Sequence, residues 1–258
     1  MLQFTSIELN NFITAFLWPL TRILGLIATA PLYSNVSIPR RVKVGLGILL
    51  AMIVAPSVQM PTGLEPISLA GMMILTQQLL IGIAMGFSMR VIFSAVELGG
   101  EVASMTMGLG FATFFNPQSQ GRSNAVSQLL SLLTLMVYLA ANVHLALLST
   151  LVDSFSTMPV AVGPMQGNIA DQVVHWAGRV FSAGLQLSLP IVAALLVTNM
   201  ALGILTRAAP QLNLFGIGFP ITLTVGFAMI GLTLPYLATP LGNLFQEAII
   251  TIRQLTGG

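Results

Sequence analysis

Six apolar runs, roughly 12–30, 44–58, 67–93, 125–152, 177–203 and 215–238, fill most of this chain and dictate what it can become. A hydrocarbon core about 30 Å thick is crossed by about 20 apolar residues in helical form. Lipid offers no partner to an open backbone, so runs of this kind fold as helices packed together. The second run is short for a crossing and is bounded by Pro39 and by Pro56 and Pro61. The third, fourth and fifth exceed what a bilayer requires. Proline interrupts the first run at Pro19, the fifth at Pro190 and the sixth at Pro220 and Pro235, which predicts kinked helices. The expected fold class is therefore an all-α, membrane-associated protein of about six long helices or helical hairpins. Gly82, Ala84, Gly86, Gly99, Gly100, Gly178 and Gly184 supply the small faces that let such helices approach closely.

Composition closes off other classes. Only 6% of residues are charged and 55% are hydrophobic, whereas soluble domains carry about 25% charged residues. Mean hydropathy is +0.92. The absence of cysteine excludes disulfides, thiolate metal sites and a cysteine nucleophile. The net charge of +2 comes from scattered basic residues, with no stripe to hold nucleic acid. Two isolated histidines, His144 and His175, do not make the three or four converging ligands of a metal site. No G-x-S-x-G, H-E-x-x-H or P-loop pattern occurs, so neither an enzyme nor a bound cofactor is expected. No Lys or Arg precedes Arg22, while Glu8 is already present, so the start lacks the basic region of a cleaved signal peptide and the first run is expected to be retained.

Charge placement predicts a topology. Arg40, Arg41 and Lys43 follow the first run, Arg90 and Arg122 bracket the connector after the third, and Arg207 follows the fifth. If six runs alternate, these fall on one side, opposite Glu8, Glu65, Asp153, Asp171 and Glu247. The excess of basic residues on cytoplasmic loops then puts that connector inside and both termini outside.

The connector itself, GLGFATFFNPQSQGRSN over 108–124, is no ordinary polar link. Gly108 and Gly110 precede Phe111, which is followed by Phe114, Phe115 and the turn signal Asn116-Pro117. Three phenylalanines so close together each cost roughly 1.5–3 kcal/mol to leave in water. Such a segment must be buried in protein or line a cavity, and the expectation is a plug or constriction. Met105 and Met107 lead into it, and methionine is a flexible filler suited to sealing.

A second group of residues is polar. Arg22 and Arg179 lie within or beside apolar runs, where an ionisable group is a functional hypothesis by default. Snorkelling to the interface or pairing with a partner helix is the plainer alternative. Glu97 and Glu101, spaced i, i+4, share a helix face and read as a cation-attracting pair or an inter-subunit face. Ala30-Pro31, Pro39 and Val44-Gly45-Leu46 are echoed by Ala209-Pro210, Pro220 and Val225-Gly226-Phe227, the pattern of a parallel repeat.

Three stretches carry a resemblance: FLWPLTRILGLIATAPLYSNVSIPRRVKVGLG (16–47), ELGGEVASMTMGLGFATFFNP (97–117) and LGILTRAAPQLNLFGIGFPITLTVGF (202–227). In order and over nearly the whole chain they resemble the FliR family of flagellar type III protein export, whose relatives are the T subunits of virulence secretion systems. The resemblance implies a non-enzymatic core subunit of the export gate in the bacterial inner membrane, at the flagellar basal body. It implies assembly with the P and Q subunits around a protein-conducting pore, a neighbouring B subunit, cooperation with the large A subunit, and unfolded flagellar proteins as cargo. It implies one export-gate domain over 1–258, with a P-like part over about 1–176 and a Q-like hairpin part over 177–258. The loop matching 106–122 would be the pore plug, with Met105, Met107, Gly108, Gly110, Phe111, Phe114, Phe115, Asn116 and Pro117 as its gating residues. Arg22, Glu97, Glu101, Arg122 and Arg207 would serve as polar contacts between subunits. Family hairpins need not lie across the bilayer as hydropathy suggests. This chain departs from the family in having Asn116 where an acidic residue often precedes the loop proline, and Asn142-Val143-His144 where Asn-Gly-His is common. The alternatives are the equivalent virulence subunit and a small secondary transporter, which would bind its solute near the midplane of its own fold.

Overall fold

The computed structural model describes residues 6–58, 66, 68–110, 124–161, 169–209 and 214–257. Within them the chain is helical, with α1 (Ser6–Thr29), α2 (Arg40–Val54), α3 (Leu69–Thr106), α4 (Ala125–Ala140), α5 (Val143–Thr157), α6 (Ile169–Ala177), α7 (Arg179–Ala208), α8 (Leu214–Thr233) and α9 (Ala238–Leu255). Short 3₁₀ turns follow α2 at Ala55–Ser57 and α8 at Leu234–Tyr236. No strand occurs among the described residues, so the all-α class holds.

The count of six crossings is reduced. Among the described residues, Leu69–Thr106, Ile169–Ala208 and Gly216–Tyr236 are long and apolar enough to cross a membrane, and the pair α4 and α5 adds a fourth if it acts as one span. The helix α2, with 15 residues, rises only about 22 Å. Its limits are set by proline. Pro39 caps its start with extended φ −56°, ψ 141°, and Pro56, lacking an N–H, converts its end to a 3₁₀ turn. The fourth run breaks at Ala141–Asn142, where Asn142 takes the left-handed φ of 54° and starts α5. Asparagine is one of the few side chains that enters this region readily. Pro19, Pro190 and Pro220 sit inside their helices without ending them.

Residues 1–91, 142–177 and 245–258 form one compact unit. Its centre is the crossing of α1 and α3, where Gly82 and Gly86 face the backbone of α1 at Arg22, Leu26 and Ala30. On Gly25, a side chain would meet the Leu79 carbonyl oxygen at 2.8 Å. The i, i+4 glycine pair thus allows backbone-to-backbone contact that any larger residue would prevent. Gly47, Ala51 and Val54 form the buried side of α2, with Gly47 against the Leu24 side chain. Helix α6 docks through the Trp176 indole N–H, which donates to the Ser88 carbonyl at 2.9 Å.

Residues 92–141 and 178–244 form the second unit. The last turns of α3 pack on α4, with Gly100 against the Ser127 backbone and Phe93 edge-on to Tyr138 at 5.7 Å between ring centres. On the other side Gly99 meets the Gly184 carbonyl of α7, and α7 packs along α8.

Candidate functional site: the base of the 108–124 connector

The C-terminal end of α3 is where the connector begins, and its geometry is tightly specified. The Met107 N–H donates to the Ala103 carbonyl at 3.0 Å, the Gly108 N–H to Met105 at 3.1 Å and the Leu109 N–H to Ser104 at 3.1 Å. Gly108 adopts φ +88°, a conformation that costs an L-residue roughly 1–2 kcal/mol, and so the chain leaves the helix in a new direction. Met107 is completely buried. Its side chain lies on Gly226 of α8, where an added Cβ would stand 2.5 to 2.8 Å from Met107 Cγ, Cε and Sδ. The Thr222 hydroxyl, one turn earlier on α8, donates to the Met107 carbonyl at 3.1 Å. Phe219 then packs beside Gly108. One face of α8 therefore clamps the outgoing chain.

The returning chain is held on the same helix end. Asn124, the residue before α4, donates from Nδ2 to Glu101 Oε1 at 2.8 Å. The Ser127 hydroxyl lies 3.2 Å from the Glu97 carbonyl and 3.4 Å from Glu101 Oε2. The partly buried Glu101 carboxylate thus accepts from the Asn124 amide and shares the single Ser127 proton with the Glu97 carbonyl. A charge-assisted bond of this kind is roughly twice as strong as a neutral one.

The expected site residues are distributed as follows. Met107 and Gly108 form the clamp, Met105 is 60% exposed on the outer side of the same turn, and Gly110 ends the described segment. Phe111, Phe114, Phe115, Asn116, Pro117 and Arg122 lie outside the described residues. Glu101 and Asn124 tie the return, Glu97 takes part through its backbone carbonyl while its side chain is exposed, and Arg207 is exposed near the end of α7. Thr222 and Gly226 were not singled out for this role by the sequence, although Gly226 falls in the echoed Val-Gly-Phe triplet. Nothing in their own neighbourhood reveals a contact with residue 107, more than a hundred positions away.

Arg22 stands apart, in the other unit. It is 0% exposed and spends its donors within that unit. Nε donates to Gln78 Oε1 at 2.8 Å, one terminal nitrogen to the Ser154 carbonyl at 2.8 Å and its Oγ at 3.0 Å, and the other to the Met158 carbonyl at 2.8 Å. The guanidinium carbon sits 4.2 Å from the centre of the Phe155 ring, a cation–π contact that gains strength when desolvated. The charge is met by neutral dipoles and a ring face. Gln78 lies within the third apolar run and Ser154 just beyond the fourth, and the sequence assigned a role to neither.

An all-helical chain with membrane-length apolar helices and a connector pinned at both ends to one helix end is the class that these features define. The model of the family described as "Bacterial export proteins, family 1" matches residues 13–248, so the chain belongs to that family. It is 43% identical over 248 residues to "Flagellar biosynthetic protein FliR" of Pectobacterium carotovorum subsp. carotovorum, covering 96% of this chain and 94% of that protein. It is 41% identical over 248 residues to the protein of that name from Escherichia coli (strain K12), with the same coverage. To the one from Buchnera aphidicola subsp. Schizaphis graminum (strain Sg) it is 33% identical over 259 residues, covering 99% and 100%.

Proposed function

We propose that this chain is a core structural and gating subunit of the flagellar type III protein export gate in the bacterial inner membrane, at the flagellar basal body. Its P-like part over about 1–176 and Q-like hairpin over 177–258 join the P and Q subunits around a pore, beside the B and A subunits. Unfolded flagellar proteins pass through it, and the chain does no chemistry on them. The observation that carries the reading is the clamped base of the connector in a chain of a bacterial export family. A residue pair as closely fitted as Met107 and Gly226, with the Asn124–Glu101 tie opposite, fixes where the connector starts and ends. The thirteen residues from 111 to 123, going out and back at about 3.5 Å each, can reach about 20 Å from that base. That is enough to place Phe111, Phe114 and Phe115 across a narrow pore as an apolar seal, with Met105 at its edge. Glu97, Arg122 and Arg207 are then available to neighbouring subunits.

The test is electrical. The assembled complex carrying Phe111, Phe114 and Phe115 all changed to Ala, or lacking 108–117, is placed in planar bilayers and its ion conductance compared with wild type. A leak at rest is expected. Variants that assemble and conduct no more than wild type would sink the plug assignment.

A further inference from the structure

Between Glu8 and Glu65 the sequence holds no acidic residue, yet three cations, Arg40, Arg41 and Lys43, crowd into the first turn of α2. The position is unfavourable for them: the N-terminal end of a helix carries partial positive charge and favours anions. Arg40 and Arg41 are exposed. Among the described residues no carboxylate pairs with Arg40 or Arg41. Lys43 differs, since its Nζ donates to the Ser34 carbonyl at 2.9 Å and holds the preceding turn.

The rest of α2 indicates what the two arginines face. Its inner side, with Gly47, Ala51 and Val54, is buried. Its outer side carries Val42, Leu49 and Ile53, spaced i, i+7, i+11 on one stripe, with Met52 beside them, all exposed. Val36, in the turn before the helix, is 98% exposed. An apolar stripe of about 17 Å with cations at one end alone matches the depth profile of a bilayer leaflet, with acyl chains below and headgroups above. An acidic protein surface would answer the charges and leave the stripe uncovered. Guanidinium groups bind phosphate through paired donors, which suits a phosphodiester headgroup.

We infer that the Arg40–Arg41 turn and the outer stripe of α2 form a binding surface for anionic phospholipid, the two arginines holding the headgroup phosphate and Val42, Leu49 and Ile53 lying along the acyl chains. This surface is independent of whether the connector gates a pore.

The experiment uses the full chain in its native complex, purified in mild detergent and titrated with phosphatidylglycerol, with phosphatidylethanolamine as the neutral control. Bound lipid and subunit composition are read together by native mass spectrometry. Each Arg→Gln change is expected to weaken phosphatidylglycerol binding about fivefold and Arg40→Gln with Arg41→Gln on the order of 25-fold, taking the usual worth of one cation near an anionic surface. Phosphatidylethanolamine binding and subunit composition should stay as in wild type, and Lys43→Gln should have the smaller effect because its amine is already engaged. Arg40→Lys with Arg41→Lys should recover most of the binding. If the double Gln variant does not assemble, the single variants carry the test. Unchanged phosphatidylglycerol binding in the Gln variants overturns the inference. Loss of a protein subunit with lipid binding intact also overturns it and assigns the arginines to an acidic protein surface.

Discussion

Adding one methyl group at Gly226 should unsettle the base of the connector, and Met107 should be the reason. In Gly226→Ala the new Cβ would lie 2.5, 2.7 and 2.8 Å from Cγ, Cε and Sδ of Met107, against roughly 3.5–4.0 Å for a comfortable carbon contact. The thioether end of a methionine can swing aside, but Cγ is anchored close to the backbone, and Met107 has no exposed surface into which to move. Overpacking of this kind costs about 1–3 kcal/mol. Met107→Ala alone removes a fully buried side chain and should cost about 2–5 kcal/mol. Were the two independent, the double variant would lose the sum, about 3–8 kcal/mol. Because the clash needs both side chains, the double variant should instead be no less stable than Met107→Ala alone, a favourable coupling of about 1–3 kcal/mol. Denaturant-induced dissociation and unfolding of the purified complex would measure all four corners of the cycle, and conductance in planar bilayers would show whether Gly226→Ala also leaks. Additivity within about 0.5 kcal/mol would mean that the two residues do not interact as placed, and the clamp would be wrong.

Two further predictions concern the other unit. Arg22→Met keeps an unbranched apolar stem but removes the guanidinium and leaves Gln78 Oε1 and the Met158 carbonyl without their donor; at about 1–3 kcal/mol for each orphaned acceptor the loss should be about 2–6 kcal/mol. Ser154 O is spared, since it also accepts from the Met158 N–H. A loss of unfolding free energy of less than about 0.5 kcal/mol would contradict the network. Gly82→Ala sets two effects against each other. Alanine gains about 1 kcal/mol in a helix over glycine, but its Cβ would stand 2.9 Å from the Arg22 carbonyl carbon and 3.0 Å from the Leu26 nitrogen. Backbone atoms cannot rotate away, so the overpacking cost of up to about 3 kcal/mol should win and the variant should be less stable by about 2 kcal/mol, while a gain in stability would refute the close crossing of α1 and α3.

The helices themselves were legible in the sequence because helix formation in an apolar run depends on neighbours three and four residues apart. The stop of α2 was legible at Pro56 for the same reason, as was the exceptional character of 108–124, where glycine, phenylalanine and the Asn-Pro turn lie side by side. The family, too, could be recognised from continuous stretches. The number of membrane-length helices could not. The run over 125–152 contains neither glycine nor proline, and its break at Asn142 rests on a single left-handed residue that hydropathy treats as one more polar position. Nor could the fate of the charges. Arg22 was flagged as an ionisable group in an apolar run, but its partners Ser154 and Met158 come from more than 130 residues away. Met107 and Gly226 are separated almost as far, and the clamp they form exists only because the chain folds α8 back beside the end of α3. Local sequence determined what each segment is. Long-range packing decided which backbone oxygens neutralise the buried cation and which glycine receives the methionine at the foot of the connector.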